Sequence, residues 1–328
     1  MRVTGVARVI SLAVAVAATP ALAQSKPPAS PPLPPPAPSS QTPAVNQNTD
    51  VAYGAFQRGY FLTAFNEASR RAQQNDAAAM TLLGELYANG LGVGRDDAKA
   101  AHWYKMAAAQ GNRDALFALA MFAFEGRAGA NSPSEGARLL GEAAKLGHPV
   151  ASYNLGLLYL QGQQFAQDFG RAAELFKVAA NAGNPEAQYA LGTMYKEGRG
   201  VPKDVKQAAL LMARASIAGN VDAMVEFAIM QFNGEGTDKS EAAAAETFLR
   251  AARRGSPIAQ NRLARILMAG RGMPADPVEA VKWHTIAKAA GAGDPELDVF
   301  ASKQTPQVRE AADKAAKKWM STLAEVAP

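Results

Sequence analysis

Glycine returns at a fixed step through most of this chain. Gly111, Gly147, Gly183, Gly219, Gly255 and Gly291 are spaced by 36 residues without a slip, and so are Gly90, Gly126, Gly162, Gly198, Gly234 and Gly270. Ala79, Ala115, Ala151, Ala187, Ala223 and Ala259 keep the same step. Three columns in six copies without an insertion describe one supersecondary unit repeated along the chain.

Each unit holds two apolar segments at helical spacing. In the first copy, helix A runs from about Asp76 to Asn89, with Ala79, Leu83, Leu86 and Tyr87 on one face. Gly90 ends it, because glycine adopts the left-handed backbone past a helix C-terminus without penalty. Asp96 and Asp97 stand where an N-cap and a first-turn carboxylate belong. Helix B follows to Gln110, turning Ala100, Trp103, Tyr104, Ala107 and Ala108 inward. The column Gly84, Ala120, Gly156, Gly192, Ala228, Ala264 admits nothing larger than a methyl, which predicts a second helix in close contact. A two-helix unit cannot bury its own apolar face, so neighbours stack into a continuous core. The expected fold is all-α: a right-handed α-solenoid of six repeats over residues 76–291. Residues 51–75 supply opening capping helices, with Tyr53, Phe56, Tyr60, Phe61 and Phe65 to pack. Residues 292–328 close the array with a capping helix that starts at Thr305 and Pro306.

The first 50 residues differ in composition. Arg2 and Arg8, the apolar run from Val9 to Ala18, and the small residues Ala21 and Ala23 read as a signal peptide over residues 1–23, cleaved after Ala23. Half of the 20 prolines lie at or before residue 43, so residues 24–50 read as a disordered proline-rich linker. Such a segment serves as a spacer or as a motif for a proline-reading domain. No stretch approaches the 20 or so apolar residues of a membrane span. The destination implied is the periplasm, with secretion beyond the outer membrane left open. The chain has no cysteine, hence no disulfide and no acylated cysteine. Its net charge is +5, falling to +3 when Arg2 and Arg8 leave with the signal, too mild to imply nucleic acid.

The repeat columns resemble the Sel1-like repeat family, relatives of the tetratricopeptide repeats. Ala79, Leu83, Gly84, Tyr87, Gly90, Gly92, Val93 and Asp97 follow the family pattern, continued by Ala100, Trp103, Tyr104, Ala107, Ala108 and Gly111. The fourth copy repeats it through Ala187, Leu191, Gly192, Tyr195, Gly198, Gly200, Val201 and Asp204. The loops after Gly126 and Gly162 depart from it, so different turns are expected there. The resemblance implies a non-catalytic interaction scaffold or regulator of the bacterial cell envelope, whose partner is an envelope protein or peptide. One cysteine-rich branch is linked to penicillin binding. With neither cysteine nor a Ser-x-x-Lys motif in this chain, a penicillin-interacting hydrolase is the weakest reading.

No constellation for chemistry stands out. His102, His148 and His284 fall in three different repeats, none with a second ligand at metal-binding spacing. There is no phosphate loop, nucleophile elbow or zinc-binding His-Glu-x-x-His. The reading therefore includes no catalytic residue, no metal and no cofactor.

Binding candidates come from the face of helix A turned away from its core columns. In successive copies it carries Phe117, Met121 and Phe124; Tyr153, Leu157 and Leu160; Tyr189, Thr193 and Lys196; then Val225, Ile229 and Phe232. An apolar, aromatic strip across adjacent repeats suits a peptide or helix docked in a concave groove. The same pattern also fits packing between repeats, and sequence leaves both open. A second candidate is basic. Between Thr247 and Ala275 there is no acid, while Arg250, Arg254, Arg265 and three further arginines are present. That run suits an acidic partner loop or an anionic cell-wall polymer, and the latter carries the alternative of a cell-wall or glycan-binding protein.

Overall fold

The computed structural model describes residues 50–129, 132–162 and 164–326, with the backbone alone for 323–326. The expected signal peptide and proline-rich linker lie outside the described residues. Among those residues there are sixteen α-helices and no strand. Helices α1 (Val51–Gln57) and α2 (Phe61–Ala72) open the array. The six repeats follow as A/B pairs. They are α3 (Ala77–Asn89) with α4 (Asp97–Ala109), α5 (Arg113–Glu125) with α6 (Pro133–Lys145), and α7 (Pro149–Gln161) with α8 (Phe169–Asn181). Then come α9 (Pro185–Glu197) with α10 (Val205–Ile217), α11 (Val221–Asn233) with α12 (Glu241–Arg253), and α13 (Pro257–Ala269) with α14 (Pro277–Ala289). From α1 to α14 each helix packs on the next in sequence, and A-helices also touch across repeats where α3 meets α5. The fold is the α-solenoid expected.

The boundaries follow from the caps. Helix-B N-caps are Asp96, Ser132, Asp168, Asp204, Ser240 and Asp276, each accepting a backbone N–H of its own first turn. Gly90, Gly126, Gly162, Gly198, Gly234 and Gly270 all stand left-handed at the end of helix A, where each N–H reaches back to a carbonyl four residues earlier. Beyond this glycine the chain crosses the previous repeat so closely that a Cβ on Gly200, at φ +72°, would lie 2.3 Å from the Phe169 carbonyl oxygen. The second repeat departs here, as its sequence foretold. Arg127–Gly129 forms a short 3-10 turn in which Ala128 itself holds φ +51°.

The core side chains differ from repeat to repeat. A Cβ on Gly84 would stand 2.4 Å from the Tyr104 ring, and one on Gly156 would stand 2.7 Å from the Phe176 ring. At Ala120 the helix-B position opposite in the unit is a leucine, Leu140, and both are buried in one cluster, whereas Ala228 keeps a phenylalanine, Phe248, opposite it. In the first and third repeats the missing Cβ is what leaves room for the ring.

The C-terminal end differs from the expectation of one closing helix. A further helix, α15 (Pro295–Ser302), precedes α16 (Pro306–Val326). Asp294 caps it, accepting from the backbone N–H of Glu296 and Leu297. Leu297 is buried with the last repeats, and Trp319 of α16 meets Trp283 edge-on at 5.2 Å.

Candidate partner-binding face

Helix A is covered on both sides along the array, and this decides how much of the strip stays open. Phe117, Phe124, Tyr153, Leu157, Tyr189 and Phe232 are half-buried: their rings and branches pack inward on one edge and meet solvent on the other. Met121 corrects the expectation of an open strip, because it is 6% exposed and belongs to the core cluster of Leu116, Ala120 and Leu140. Val225 is buried to the same degree. Both sit one turn before a half-buried neighbour, Phe124 and Ile229.

Local contacts hold the strip in place. Phe117 stacks on His148 with ring centroids 4.6 Å apart. Tyr153 tilts against Phe176 at 5.6 Å, and Phe124 lies over helix α6, where a Cβ on Gly136 would come within 2.8 Å of its ring. Burial raises the Tyr153 and Tyr189 hydroxyls above their ordinary pKa, helped by Glu186 beside the first and Asp222 and Glu226 beside the second. Lys196 on α9 reaches Glu226 on α11 at 2.7 Å, tying consecutive A-helices. At the first repeat the same columns hold Thr81, Glu85 and Ala88, and burial pushes the Glu85 carboxyl up.

His148 does more than fill a loop. It is the N-cap of α7, its Nδ1 accepting the Ala151 N–H at 3.0 Å, while Nε2 faces Asp114 at 3.4 Å. Burial depresses its pKa, against the opposing pull of Asp114. His284 is also buried, with Nε2 2.7 Å from Asp298. Neither carboxylate is near its histidine in sequence, so spacing gave no sign of these pairs. His102 is exposed and touches Trp103 edge-on. Among the described residues no group of three or more acidic, histidine or cysteine side chains gathers as a metal site.

The arginine run does not form one surface. Arg250 and Arg254 lie on and beside α12, where Arg250 donates to Thr247 Oγ1 at 3.3 Å and Arg254 to the Gly219 carbonyl at 2.9 Å. Arg265 lies on α13 and joins the strip, at the position equivalent to Met121 and Ile229. It holds Asp294 at 2.6 Å and Glu296 at 2.8 Å. Burial opposes ionisation of Asp294, and hydrogen bonds from Arg265 and Asn261 overcome it, holding the carboxyl at about 2.

Between the fifth and sixth repeats the strip deepens into a cleft of about 430 Å³. Ile229, Phe232, Ile266 and Met268 form its floor. Arg262, Arg265 and Arg271 stand around it, with Glu296 beside Arg265. Arg271 lies over the Phe232 ring at 4.5 Å and pairs with Glu241 of the preceding repeat. No described helix is long and apolar enough to cross a membrane.

Comparison with known proteins agrees with this architecture. Six consecutive stretches, residues 77–112, 113–148, 149–184, 185–220, 221–256 and 257–291, match the family described as Sel1 repeat. A protective antigen present in uropathogenic Escherichia coli strains, displaying an SLR fold, is 23% identical with a TM-score of 0.55, over 81% of this chain and 67% of that one. A Sel1 repeat protein from Oxalobacter formigenes is 24% identical with a TM-score of 0.61, over 72% of this chain and 94% of that one. At these identities the likeness is one of fold. No curated protein matches the sequence.

Proposed function

We propose that this chain, which belongs to the Sel1 repeat family, is a non-catalytic scaffold of the bacterial cell envelope that holds a segment of a partner protein along its helix-A face. Sel1 repeat proteins are in general protein-interaction scaffolds. The observation that carries the finer reading is the strip from Phe117 to Phe232. A face meant only for water is polar, and one meant only for packing is closed. This one is aromatic and half-open over four repeats. Half-exposed aromatic rings fixed from behind are the anchors that protein interfaces use, since they lose little conformational entropy on binding. The signal-like N-terminus supports an envelope location.

The test is an in vivo crosslinking pull-down with the native N-terminus, comparing wild type with a Phe117→Ala/Tyr153→Ala variant of unchanged helical circular dichroism. A partner lost selectively from the variant supports the reading. An identical set of partners removes it.

A further inference from the structure

The strip is uneven along its length. Repeats two, three and five present rings and aliphatic side chains, repeat four keeps Tyr189 beside Thr193 and an ion-paired Lys196, and repeat six presents Asn261, Arg265 and Met268 at the same three columns. At the first repeat those columns carry an acid, Glu85. At the C-terminal end the strip opens into the cleft, and there cationic groups meet its apolar floor, two of the three already matched by carboxylates.

The three guanidinium groups around the cleft are not equivalent. Arg265 and Arg271 are engaged by Asp294 and Glu296 and by Glu241. These pairs fix where the two side chains point and cancel most of their charge. Arg262 is exposed and has no ion-pair partner among the described residues. The neighbouring sequence offers it none, because Thr247 to Ala275 contains no acid. The result is a concave apolar floor with one uncompensated guanidinium at its edge, and planar guanidinium is the side chain best matched to a carboxylate.

We propose that this cleft anchors an acidic peptide segment of the partner, seating an aromatic or large aliphatic side chain on Phe232, Ile229 and Ile266 while an adjacent carboxylate pairs with Arg262. The inference rests on the helix-A face being the partner surface, and it adds both chemistry and direction: the acidic end of the bound segment lies over repeats five and six. The floor supplies apolar contact, and the guanidinium rejects segments that bring a lysine to the same place.

The experiment uses the full chain and a fluorescein-labelled synthetic peptide with one phenylalanine between two glutamates, read by fluorescence anisotropy. Two control peptides replace the glutamates by lysine or the phenylalanine by glycine. The acidic aromatic peptide is expected to bind, with affinity falling as salt rises, and both controls are expected to bind more weakly. Arg262→Glu is expected to weaken the acidic peptide about tenfold or more and to improve binding of the lysine peptide. Arg262 is exposed and unpaired, so this variant folds, and circular dichroism checks that it does. No binding of the acidic aromatic peptide overturns the proposal, as does unchanged affinity in Arg262→Glu. Equal binding of the glycine control makes the site a plain polyanion surface and also overturns it. Any of these failures leaves the loss of partners in Phe117→Ala/Tyr153→Ala intact as a separate observation, so failure of the cleft is distinguished from failure of the strip.

Discussion

Phe117 and His148 lie face to face, 4.6 Å between ring centroids, across the junction of the second and third repeats. The histidine is held there because its Nδ1 caps helix α7. That bond needs an unprotonated Nδ1, which leaves the proton on Nε2, toward Asp114. The five other helix-A N-caps are Asp76, Asn112, Asn184, Asn220 and Ser256, whose cap bonds do not depend on pH near neutrality.

This makes one junction sensitive to acid. Burial lowers the His148 pKa below its ordinary 6.5, with Arg113 acting in the same direction and Asp114 against it. The unfolded chain then takes up the proton first. The contribution of His148 is complete above 6.5 and is lost as pH falls from there toward the depressed folded value. Urea unfolding at intervals from about pH 7 to 5 is expected to show stability falling by about 1 kcal/mol, the scale of one N-cap. His148→Asn restores the cap used in three other repeats and flattens this part of the profile.

A second prediction concerns the small-residue column. Gly156→Ala places a methyl 2.7 Å from the Phe176 ring and is expected to cost about 1–3 kcal/mol. Adding Phe176→Leu recreates the Ala120 and Leu140 combination of the second repeat and recovers most of the loss. Gly141→Ala, inside α6 with nothing within 4 Å of the new methyl, is expected to stabilise by about 0.5–1 kcal/mol. Thermal unfolding of the three variants checks the set.

The third contrasts two arginines at equivalent positions. Arg127 pairs with Asp97 of the preceding repeat and donates to the Ala88 carbonyl at 2.8 Å, with its side chain 21% exposed. Arg271 pairs with Glu241 at the same columns four repeats on, but is 50% exposed. Arg127→Ala is expected to cost about 1–2 kcal/mol, because it leaves the half-buried Asp97 with only the exposed Arg95 at 3.3 Å and removes the donor to the Ala88 carbonyl. Arg271→Ala leaves stability unchanged within measurement. Hydrogen bonds from Arg127 and then Arg95 hold Asp97 well below the usual carboxylate range. That stabilisation is present above the ordinary 3.8 and is lost as pH falls below it. In Arg127→Ala most of this acid-labile part is expected to disappear.

The fold was legible because its punctuation is chemical. Glycine at the helix-A ends, Asp or Ser at the helix-B caps, and a column closed to anything above a methyl each state a backbone requirement directly. Less legible were features that arise between repeats. Met121 reads as a strip residue from periodicity, yet it is buried in a cluster with Leu140 of α6 and Leu155 of α7. Ala128 adopts a left-handed conformation that its residue type does not announce. The Arg127 and Asp97 pair could have been found, since Arg271 and Glu241 repeat it at the same 30-residue offset. His148 as a cap could also have been read, from a column otherwise filled by Asp, Asn and Ser. Asp298 beside His284 could not, because it sits on α15, a helix the periodic pattern does not include.

The central claim is that the helix-A face is where the partner lies. It is tested most directly by placing a photo-reactive amino acid at Leu157 or Thr193 on that face, and at Glu174 or Arg214 on helices α8 and α10, then irradiating living cells. The account predicts one protein trapped from both Leu157 and Thr193 and absent from Glu174 and Arg214. Trapping from the helix-B positions alone would contradict it and move the binding surface to the opposite side of the array.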